Sequence, residues 1–455
     1  MRARPFGVMS SSKKASVRYS LQFMVMQSLA RVVETKFAQM RCEFHCDRSP
    51  CDGANLYNGV MLDGTIHPDY ADVASTLIRQ IPRDRHGGSA VCVYHRGRSV
   101  VDIWGGAKNG AGEPWARDTT APSFSTTKGV LSTLLHILVD RGKAGYDDPI
   151  AAHWTAFGCR GKERITIRQA LCHEAGLYRI TDLVSSPREL LDWDHMKARI
   201  ADAEPVHAPG DGQGYHALTY GWLIGGLIEE IDGRPLQRVL AEELVDPLGL
   251  DGAFIGMPHN ELYRRAELVH GVSRPGSEKP EWQATLRAWV GGGLAALGVD
   301  IDEFDAALNP FTEAFDWNDE AVVQAVIPAA NGQFTARSLA RVYAMLAGGG
   351  ELDGVRVLSE ERVREIARVR NRGRDRVLLI PMHWRMGYHR VFTLGASAPL
   401  AFGHYGYGGS GAFCDPSREL AVALTTNSGS GTPMGNSNVP RIARAAIRAV
   451  DRLRR

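Results

Sequence analysis

The stretch that decides the fold is APSFSTTKGVLSTLLHILVDRGK, residues Ala121 to Lys143. After a polar start it becomes so apolar that a helix here would carry hydrophobic side chains on nearly all sides, which is typical of a buried helix. Ser125 is placed to cap that helix by accepting a hydrogen bond from a backbone N–H. Lys128, three residues later, returns to the same face. Because a desolvated lysine loses its proton readily, it could accept one from the serine and activate it as a nucleophile.

The Ser-x-x-Lys pattern is not decisive by itself. It also occurs at Ser10–Lys13 and Ser11–Lys14, in a polar segment with no apolar helix behind it. An ordinary helix cap followed by an exposed lysine is therefore an alternative interpretation of Ser125 and Lys128. The rest of the chain decides between the two.

The composition is that of an ordinary soluble chain. Of its 455 residues 44% are hydrophobic, which is enough for a large core in one domain or two lobes. Basic and acidic residues nearly balance, 53 against 51, so nothing indicates a nucleic-acid or acidic partner. No run is long and apolar enough to predict a membrane span. Seven cysteines without a disulfide pattern favour reduced thiols and a cytoplasmic location.

Residues 1–60 differ in character from the rest, and we expect a poorly ordered extension there. A secretory signal around 21–26 is an alternative, but its apolar core is thin and no clean cleavage site follows. The cysteines and histidine of CEFHCDRSPC, residues 42–51, could hold a metal, but their spacing fits no standard zinc pattern. We therefore expect no metal and no cofactor, and we place the catalytic domain at 61–455.

Hydrophobic periodicity predicts an α+β fold. Strands come early, helices fill the middle and strands return late, which implies one antiparallel sheet built from both ends of the chain. We expect three αβα layers with an inserted helical lobe at 151–330, and an α/β lobe formed by 61–150 and 331–455. Within the helical lobe, the aromatic-rich segment 258–330 is predicted to cover a pocket with loops. The predicted strands are 89–94, 99–104, 383–388, 400–404, 411–415 and 419–426. The predicted helices, besides the one after Ser125, are 67–83, 166–172, 186–203, 220–231, 236–245, 337–347, 360–369 and 439–454.

Several common functional signatures are absent from the sequence. There is no Gly-x-Ser-x-Gly, so the nucleophile turn of the α/β-hydrolases is not indicated. There is also no His-Glu-x-x-His zinc motif and no glycine-rich loop that ends in Gly-Lys-Ser/Thr. The arginines between 362 and 376 are most simply a solvated helix face and loop, not a nucleic-acid site.

Two glycine-rich stretches could complete a serine site. In GQGYHAL, residues 212–218, Tyr215 lies in a turn before an apolar helix, which is an unusual place for an aromatic residue with only a packing role. In FGHYGYGGSG, residues 402–411, the glycines at a strand edge allow another group to approach the backbone closely. A tyrosine that merely covers a helix end, and a bulged glycine-rich hairpin, are the alternatives.

Taken together, Ser125-x-x-Lys128, Tyr215 and the HYG strand at 404–406 resemble the serine β-lactamase and penicillin-binding-protein superfamily. The order and the spacing of the three sites agree with that superfamily, and so does the phrase VDIWGG at 101–106. Within it, the sequence is most similar to class C β-lactamases and to the family VIII carboxylesterases built on the same fold. The resemblance extends from about residue 61 to the end, and it implies a β-lactamase/transpeptidase-like fold.

The resemblance also implies a role for each site residue. Ser125 would attack a carbonyl carbon, while Lys128 and Tyr215 share the proton transfers; which of the two is the base is left open. The backbone N–H groups of Ser125 and Tyr407 would form the oxyanion hole, where loss of one donor typically costs ~2.7–4 kcal/mol.

Two departures from the β-lactamase pattern bear on the substrate. Such enzymes carry Tyr-x-Asn, whereas the third position here is Ala217, which cannot hydrogen-bond to the acylamide group of a drug. They also carry Lys-Thr/Ser-Gly, whereas here His404 and Gly406 flank Tyr405. A largely neutral imidazole binds a carboxylate poorly at neutral pH. Both changes favour an uncharged ester as the substrate.

We therefore predict a serine carboxylesterase that hydrolyses small, short-chain esters and has no nucleic-acid partner. A β-lactamase, D-amino-acid peptidase or acyltransferase that uses the same residues is the alternative. A non-catalytic binding or scaffold protein is the second alternative. The oligomeric state is left open.

Overall fold

A computed structural model gives the fold of most of the chain. It describes residues 62–82, 86–269, 301–308, 316–429 and 435–455, and all of these belong to one compact unit. The extension 1–60, with the cysteine-containing segment 42–51, lies outside the described residues. The same holds for much of the predicted pocket cover, including Trp282, Trp289, Phe311 and Phe315.

A seven-stranded antiparallel sheet forms the centre of the fold. The described strands are β1 (Leu62–Ile66), β2 (Gly88–His95), β3 (Arg98–Gly106), β4 (Ala121–Pro122), β5 (Ala253–Phe254), β6 (Gln333–Phe334), β7 (Glu351–Leu352), β8 (Val355–Arg356), β9 (His389–Arg390), β10 (Phe402–Tyr405), β11 (Gly411–Asp415) and β12 (Leu420–Thr426). The strand order of the large sheet is β1-β3-β2-β12-β11-β10-β9, so β2 pairs with β12 from the far end of the chain. The prediction of one antiparallel sheet built from both ends is confirmed.

Helices cover both faces of this sheet. The described helices are α1 (Ala71–Ile78), α2 (Thr127–Asp140), α3 (Ile167–Leu171), α4 (Trp193–Asp202), α5 (Thr219–Asp232), α6 (Leu236–Leu240), α7 (Asp246–Leu248), α8 (Ile301–Leu308), α9 (Glu320–Gln324), α10 (Ala336–Ala347), α11 (Glu360–Ile366) and α12 (Asn438–Leu453). A π-helical turn, Ala241–Val245, joins α6 to α7. The side chains of β2 point alternately to one face of the sheet and to the other, as in any β-strand.

The alternation in β2 shows which helices pack on which face. Val91 and Val93 belong to a core cluster that also contains residues of α1 and α12. Cys92 and Tyr94 belong to a second cluster, which contains residues of α2 and α10. The sheet is therefore covered on both faces, and the three-layer αβα prediction is confirmed.

Helix α2 is buried as its sequence predicts. Every side chain from Thr127 to Val139 is buried. Against α5 it makes a polar contact inside the core, where the hydroxyl groups of Ser132 and Tyr220 are 2.7 Å apart. A second, three-stranded sheet lies close to the start of α2: β4, which precedes it, pairs with β6, and β6 pairs with β5. The helix that carries the candidate site is therefore held by the main sheet, by α5 and by the small sheet.

Two element predictions were wrong in detail. The segment 383–388 makes only isolated bridges and not a strand, because His383 and Gly387 have positive φ angles of 52° and 87°. The edge strand of the main sheet is instead β9, the two residues that follow. The predicted helix 186–203 divides into a 3-10 turn and α4, because the side chain of Asp192 caps α4 by accepting a hydrogen bond from a backbone N–H.

Candidate active site

Ser125 lies in a tight turn at the start of the buried helix α2. Phe124–Thr126 form a 3-10 turn, and Phe124 has a positive φ of 43°, a conformation that costs energy in a residue with a side chain. The prediction that Ser125 caps the helix was wrong, because α2 begins at Thr127 and its first turn has no side-chain cap. The Ser125 hydroxyl is instead engaged by other side chains.

The Lys128 amine is one of the groups that contact Ser125. The side chain of Lys128 is completely buried, and its Nζ lies 2.9 Å from the Ser125 Oγ. Nζ also lies 2.6 Å from the carbonyl oxygen of Ala217 and 3.0 Å from that of Ala329. A neutral amine has two N–H donors and one lone pair. If the two carbonyl oxygens accept the two N–H bonds, the lone pair is left to accept a proton from Ser125.

The surroundings of Lys128 favour that neutral form. Burial lowers the pKa of Lys128 well below its ordinary value, because a charged amine is poorly solvated inside the protein. Among the described residues, Lys128 has no ion pair with a carboxylate. The exposed lysine of the alternative interpretation is therefore not what the structure contains.

Tyr215 completes the set around Ser125. Its hydroxyl donates to the Ser125 Oγ over 2.7 Å, and the phenol is completely buried. Burial raises the pKa of Tyr215, so the phenol keeps its proton. The Tyr215 ring lies parallel to the Trp384 indole, with centroids 5.7 Å apart and planes at 10°. The structure thus brings the three predicted catalytic residues together.

His404 is packed behind this site and carries no charge. It is completely buried, its Nδ1 lies 2.9 Å from the Tyr405 carbonyl oxygen, and its Nε2 has no hydrogen-bond partner among the described residues. Burial lowers its pKa well below the ordinary value. Its ring stacks on that of Tyr215 with centroids 6.3 Å apart. A neutral imidazole at this position offers no positive charge to a substrate.

The end of β10 lies directly against the turn that contains Ser125. A Cβ added to Gly406 would come within 2.3 Å of the Ser123 carbonyl oxygen, so only glycine permits this approach. Tyr407, the next residue, is partly exposed, and its ring meets that of Phe124 with centroids 5.6 Å apart. The strand end that carries Gly406 and Tyr407 therefore lies beside Ser125, as an oxyanion role for Tyr407 requires.

Ala217 takes part in the site through both its side chain and its backbone carbonyl group. The side chain is buried in an apolar cluster that also contains Ala307 and Trp384. Its backbone carbonyl oxygen is the one that accepts from Lys128. Residue 217 thus presents an apolar side chain to the cluster and a polar backbone carbonyl group to the Lys128 amine.

Sequence reasoning missed three residues of this site. The carbonyl of Ala329 has no sequence signal, since any residue type carries a carbonyl group. Trp384 lies in a segment predicted to be a strand. Asp375 lies between two arginines in a stretch interpreted as a solvated face, yet it is completely buried and accepts the backbone N–H of Tyr215 over 3.1 Å.

Two further observations concern the described residues only. No group of three or more histidine, cysteine, aspartate or glutamate side chains there is arranged to hold a metal ion. Among the helices described, none combines the length and the apolar character needed to cross a bilayer.

Comparisons with known proteins agree with this fold. The crystal structure of a family VIII carboxylesterase matches with a TM-score of 0.75 and 29% identity, covering 85% of this chain and 99% of that one. A penicillin-binding protein homologue from Caulobacter crescentus matches over the same shares, with a TM-score of 0.74 and 32% identity. The protein named Esterase/beta-lactamase LipL, from Mycobacterium tuberculosis, is 37% identical over 369 residues, 80% of this chain and 82% of the relative. The predicted β-lactamase/transpeptidase-like fold is confirmed.

The family model that matches this chain is described as Beta-lactamase. It covers residues 74–447, which include the Ser125 turn, the Tyr215 turn and the strand end at Gly406. A match over that much of the chain confirms the resemblance inferred from the sequence. The chain belongs to the Beta-lactamase family.

Proposed function

We propose that the protein is a serine carboxylesterase that hydrolyses short-chain carboxylic esters through an acyl-Ser125 intermediate. One observation carries the proposal: the Ser125 Oγ lies 2.9 Å from a buried amine and 2.7 Å from a buried phenol. A serine hydroxyl is a weak nucleophile unless an adjacent base takes its proton, and Lys128 is such a base. The fold and the family already make the chain a hydrolase of the esterase/β-lactamase type; the ester substrate and the serine chemistry are the proposed part.

Acylation would move two protons. As the Ser125 Oγ forms a bond to the carbonyl carbon, its proton passes to Lys128 Nζ. As the bond from that carbon to the leaving oxygen breaks, Tyr215 gives its proton to the departing alkoxide. The backbone N–H groups of Ser125 and Tyr407 would stabilise the negative charge on the carbonyl oxygen.

Deacylation would return both protons. A water molecule gives a proton to the Tyr215 phenolate and adds to the acyl carbon. Ser125 then leaves and recovers its proton from the Lys128 ammonium group, so that the free acid is released and all three side chains return to their starting state.

Three features support an uncharged ester with a small acyl group. His404 is neutral where β-lactamases carry a lysine, so this position offers no positive charge to a substrate carboxylate. Ala217 cannot hydrogen-bond to an acylamide through its side chain. Near the nucleophile, the ring of Phe124 meets both Trp317 and Tyr407, with centroids 5.2 and 5.6 Å apart, and these aromatic groups suit a modest apolar acyl chain. Two of the matched proteins are named as esterases, which agrees with this substrate class.

β-Lactam hydrolysis is the second candidate, because the relative from M. tuberculosis is named as both an esterase and a β-lactamase. The same three residues could open a β-lactam ring by the same acyl transfer. The neutral His404 and the apolar Ala217 argue that this activity is the weaker of the two.

The test compares hydrolysis of p-nitrophenyl acetate, butyrate and octanoate with hydrolysis of nitrocefin. Wild type and Ser125→Ala are measured beside Ser123→Ala, a matched control in the same turn whose hydroxyl donates to the Ala121 carbonyl oxygen. We expect ester turnover that is greatest for the shorter chains, is lost in Ser125→Ala and survives in Ser123→Ala. Strong nitrocefin turnover would contradict the substrate argument. Ester turnover that persists in Ser125→Ala would contradict the assignment of the nucleophile.

A cytoplasmic location is also part of the proposal. The cysteines of the described residues, Cys92, Cys159, Cys172 and Cys414, are all free thiols. Free thiols are usual in a reducing compartment.

A further inference from the structure

We propose that Asp375 is a positioning residue that fixes the Tyr215 phenol at Ser125, through the Tyr215 backbone and through the Trp384 ring. The inference rests on the proposed function, because it concerns how the proton donor of that reaction is held. Asp375 lies 160 residues away from Tyr215 along the chain, and among the described residues its carboxylate forms no hydrogen bond with Ser125.

The first connection runs to the backbone. Asp375 Oδ1 accepts the backbone N–H of Tyr215 over 3.1 Å, and those of Val377 and Leu378 over 2.9 Å each. Tyr215 lies before α5 and not within it, so helical hydrogen bonds do not fix its backbone. One carboxylate oxygen therefore ties the Tyr215 turn to the loop 375–378.

The second connection runs to the ring. Asp375 Oδ2 accepts the indole N–H of Trp384 over 3.0 Å, and that indole stacks on the Tyr215 ring at 5.7 Å and 10°. A stacked neighbour restricts the rotation of a phenol about its χ1 and χ2 angles. The carboxylate thus controls both where the Tyr215 backbone lies and how its ring is oriented.

Other groups also face the Tyr215 ring, and one of them holds the neighbouring backbone: His173 Nδ1 accepts the backbone N–H of His216 over 3.1 Å. Lys128 Nζ lies 5.0 Å from the ring centroid and is held by its own carbonyl partners. His173 and His404 meet the ring only by aromatic contact, with centroids 5.2 and 6.3 Å away. Among the described residues, Asp375 is the one side chain that hydrogen-bonds to the Tyr215 backbone.

Burial raises the pKa of Asp375 to about 6, and above that pH its negative charge supports the same role. Burial is the main reason why the pKa of Tyr215 is raised, and the nearby Asp375 carboxylate adds to that effect. A phenol that keeps its proton is the form that can donate to the Ser125 Oγ or to a leaving alkoxide. Four N–H groups donate to the buried Asp375 carboxylate, and these four hydrogen bonds fix the orientation of its side chain.

The test uses Asp375→Asn, Trp384→Phe and the double variant. Asparagine can still accept the three backbone N–H bonds through its carbonyl oxygen, but its amide N–H group would face the indole N–H, and two donors repel. Phenylalanine at 384 keeps an aromatic ring and removes that donor. The double variant should therefore lose less activity than the product of the two single losses, since the clash is absent from it.

The matched control is Asp415→Asn. Asp415 is also completely buried and holds Arg418 and Ser417, but it lies at the end of β11 and does not contact Tyr215. For Asp375→Asn we expect a fall in kcat for p-nitrophenyl butyrate of about 10- to 100-fold, with KM changed far less, because small misplacements of catalytic groups have effects of this size. Asp415→Asn should leave kcat of the folded protein near the wild-type value.

Wild type and Ser125→Ala are assayed in parallel, so that failure of the ester reaction is distinguishable from failure of this inference. If Ser125-dependent turnover is present and Asp375→Asn lowers kcat no more than Asp415→Asn does, the inference is wrong.

Near-ultraviolet circular dichroism tests the geometry without turnover: the stacked-ring signal lost in Trp384→Phe should also change in Asp375→Asn. An unchanged spectrum in Asp375→Asn would likewise overturn the inference. If Asp375→Asn does not fold, Trp384→Phe serves as the test by itself. It should lower kcat by a larger factor than it changes KM, and an unchanged kcat would overturn the inference.

Discussion

At the scale of single residues, the chemistry of the site depends on the protonation state of Lys128. Its Nζ is surrounded by oxygen atoms of Ser125, Ala217 and Ala329, and none of these carries a full negative charge in the resting protein. Burial without a counter-charge disfavours the ammonium form. In the proposed reaction Lys128 is therefore a base whose proton affinity is set by its position in the core.

This position predicts the direction of the pH dependence. Lys128 has a depressed pKa, so in the proposed reaction it can accept a proton from Ser125 above that pKa and is already protonated below it. We expect kcat/KM for a p-nitrophenyl ester to fall as the pH is lowered through the Lys128 pKa. A rate that rises on acidification would contradict the role of Lys128 as the base.

Lys128→Met is the matching variant, because it keeps an unbranched side chain of similar length and removes the amine. Loss of the general base should lower kcat by about 10²–10⁴-fold, and the part of the acidic limb that Lys128 causes should disappear with it. The control is Lys143→Met, at an exposed lysine that lies just beyond the other end of α2 and pairs with Asp232. Equal activity in the two variants would exclude proton transfer through Lys128.

The residues found from sequence and those missed differ in how they are recognised. Ser125, Lys128 and Tyr215 carry their chemistry in their side chains at a recognisable order and spacing. Ala329 acts through its carbonyl group, and Asp375 acts by a contact across 160 residues. Neither property produces a local sequence pattern, so these two residues can be recognised only in the folded structure.

At the scale of elements, the contact between α2 and α10 is tight at Gly129. A Cβ built on Gly129 would lie 2.1 Å from the hydroxyl oxygen of Tyr343 and 3.3 Å from its ring carbon. In an exposed helix, replacing glycine by alanine stabilises by roughly 0.8–1 kcal/mol. Here the steric conflict should reverse the sign, since overpacking a core costs ~1–3 kcal/mol.

We therefore expect Gly129→Ala to lower the thermal unfolding midpoint, and Tyr343→Phe to restore most of the loss when the two changes are combined. Removing the Tyr343 hydroxyl takes away the atom that the new methyl group would strike. Thermal unfolding of the two single variants and the double variant measures the coupling. If Gly129→Ala raises the midpoint, the helices are not packed as closely as described.

The elements themselves were predictable where one physical signal dominated. The burial of α2 followed from its apolar sequence, and the hairpin of β2 and β3 from two apolar runs around a turn. The strand prediction at 383–388 failed because backbone dihedral angles, and not side-chain composition, determine the structure there. His383 and Gly387 adopt positive φ angles, and the composition around 383–388, which resembles that of a strand, gives no sign of it. The two-residue strand β9 is too short to leave any periodicity.

At the scale of the whole molecule, the sequence predicts that residues 1–58 are dispensable for the fold. The family match begins at residue 74, and the described sheet begins with β1 at Leu62. A protein lacking residues 1–58 should keep its thermal midpoint and its turnover of p-nitrophenyl butyrate within experimental error of the full chain. Loss of either property would assign the extension a structural or catalytic role. The division into a helical lobe at 151–330 and an α/β lobe stays a prediction.

The pairing of β2 with β12 has a consequence for biosynthesis. Residues 88–95 leave the ribosome early, whereas their partner at 420–426 emerges only when nearly the whole protein has been translated. During that interval one edge of β2 has no neighbour, and the nascent polypeptide exposes a bare hydrophobic strand. Contacts so distant in sequence also form slowly. Production of this enzyme in a foreign host should therefore respond strongly to chaperone supply and to slower translation, more than its final stability alone would suggest.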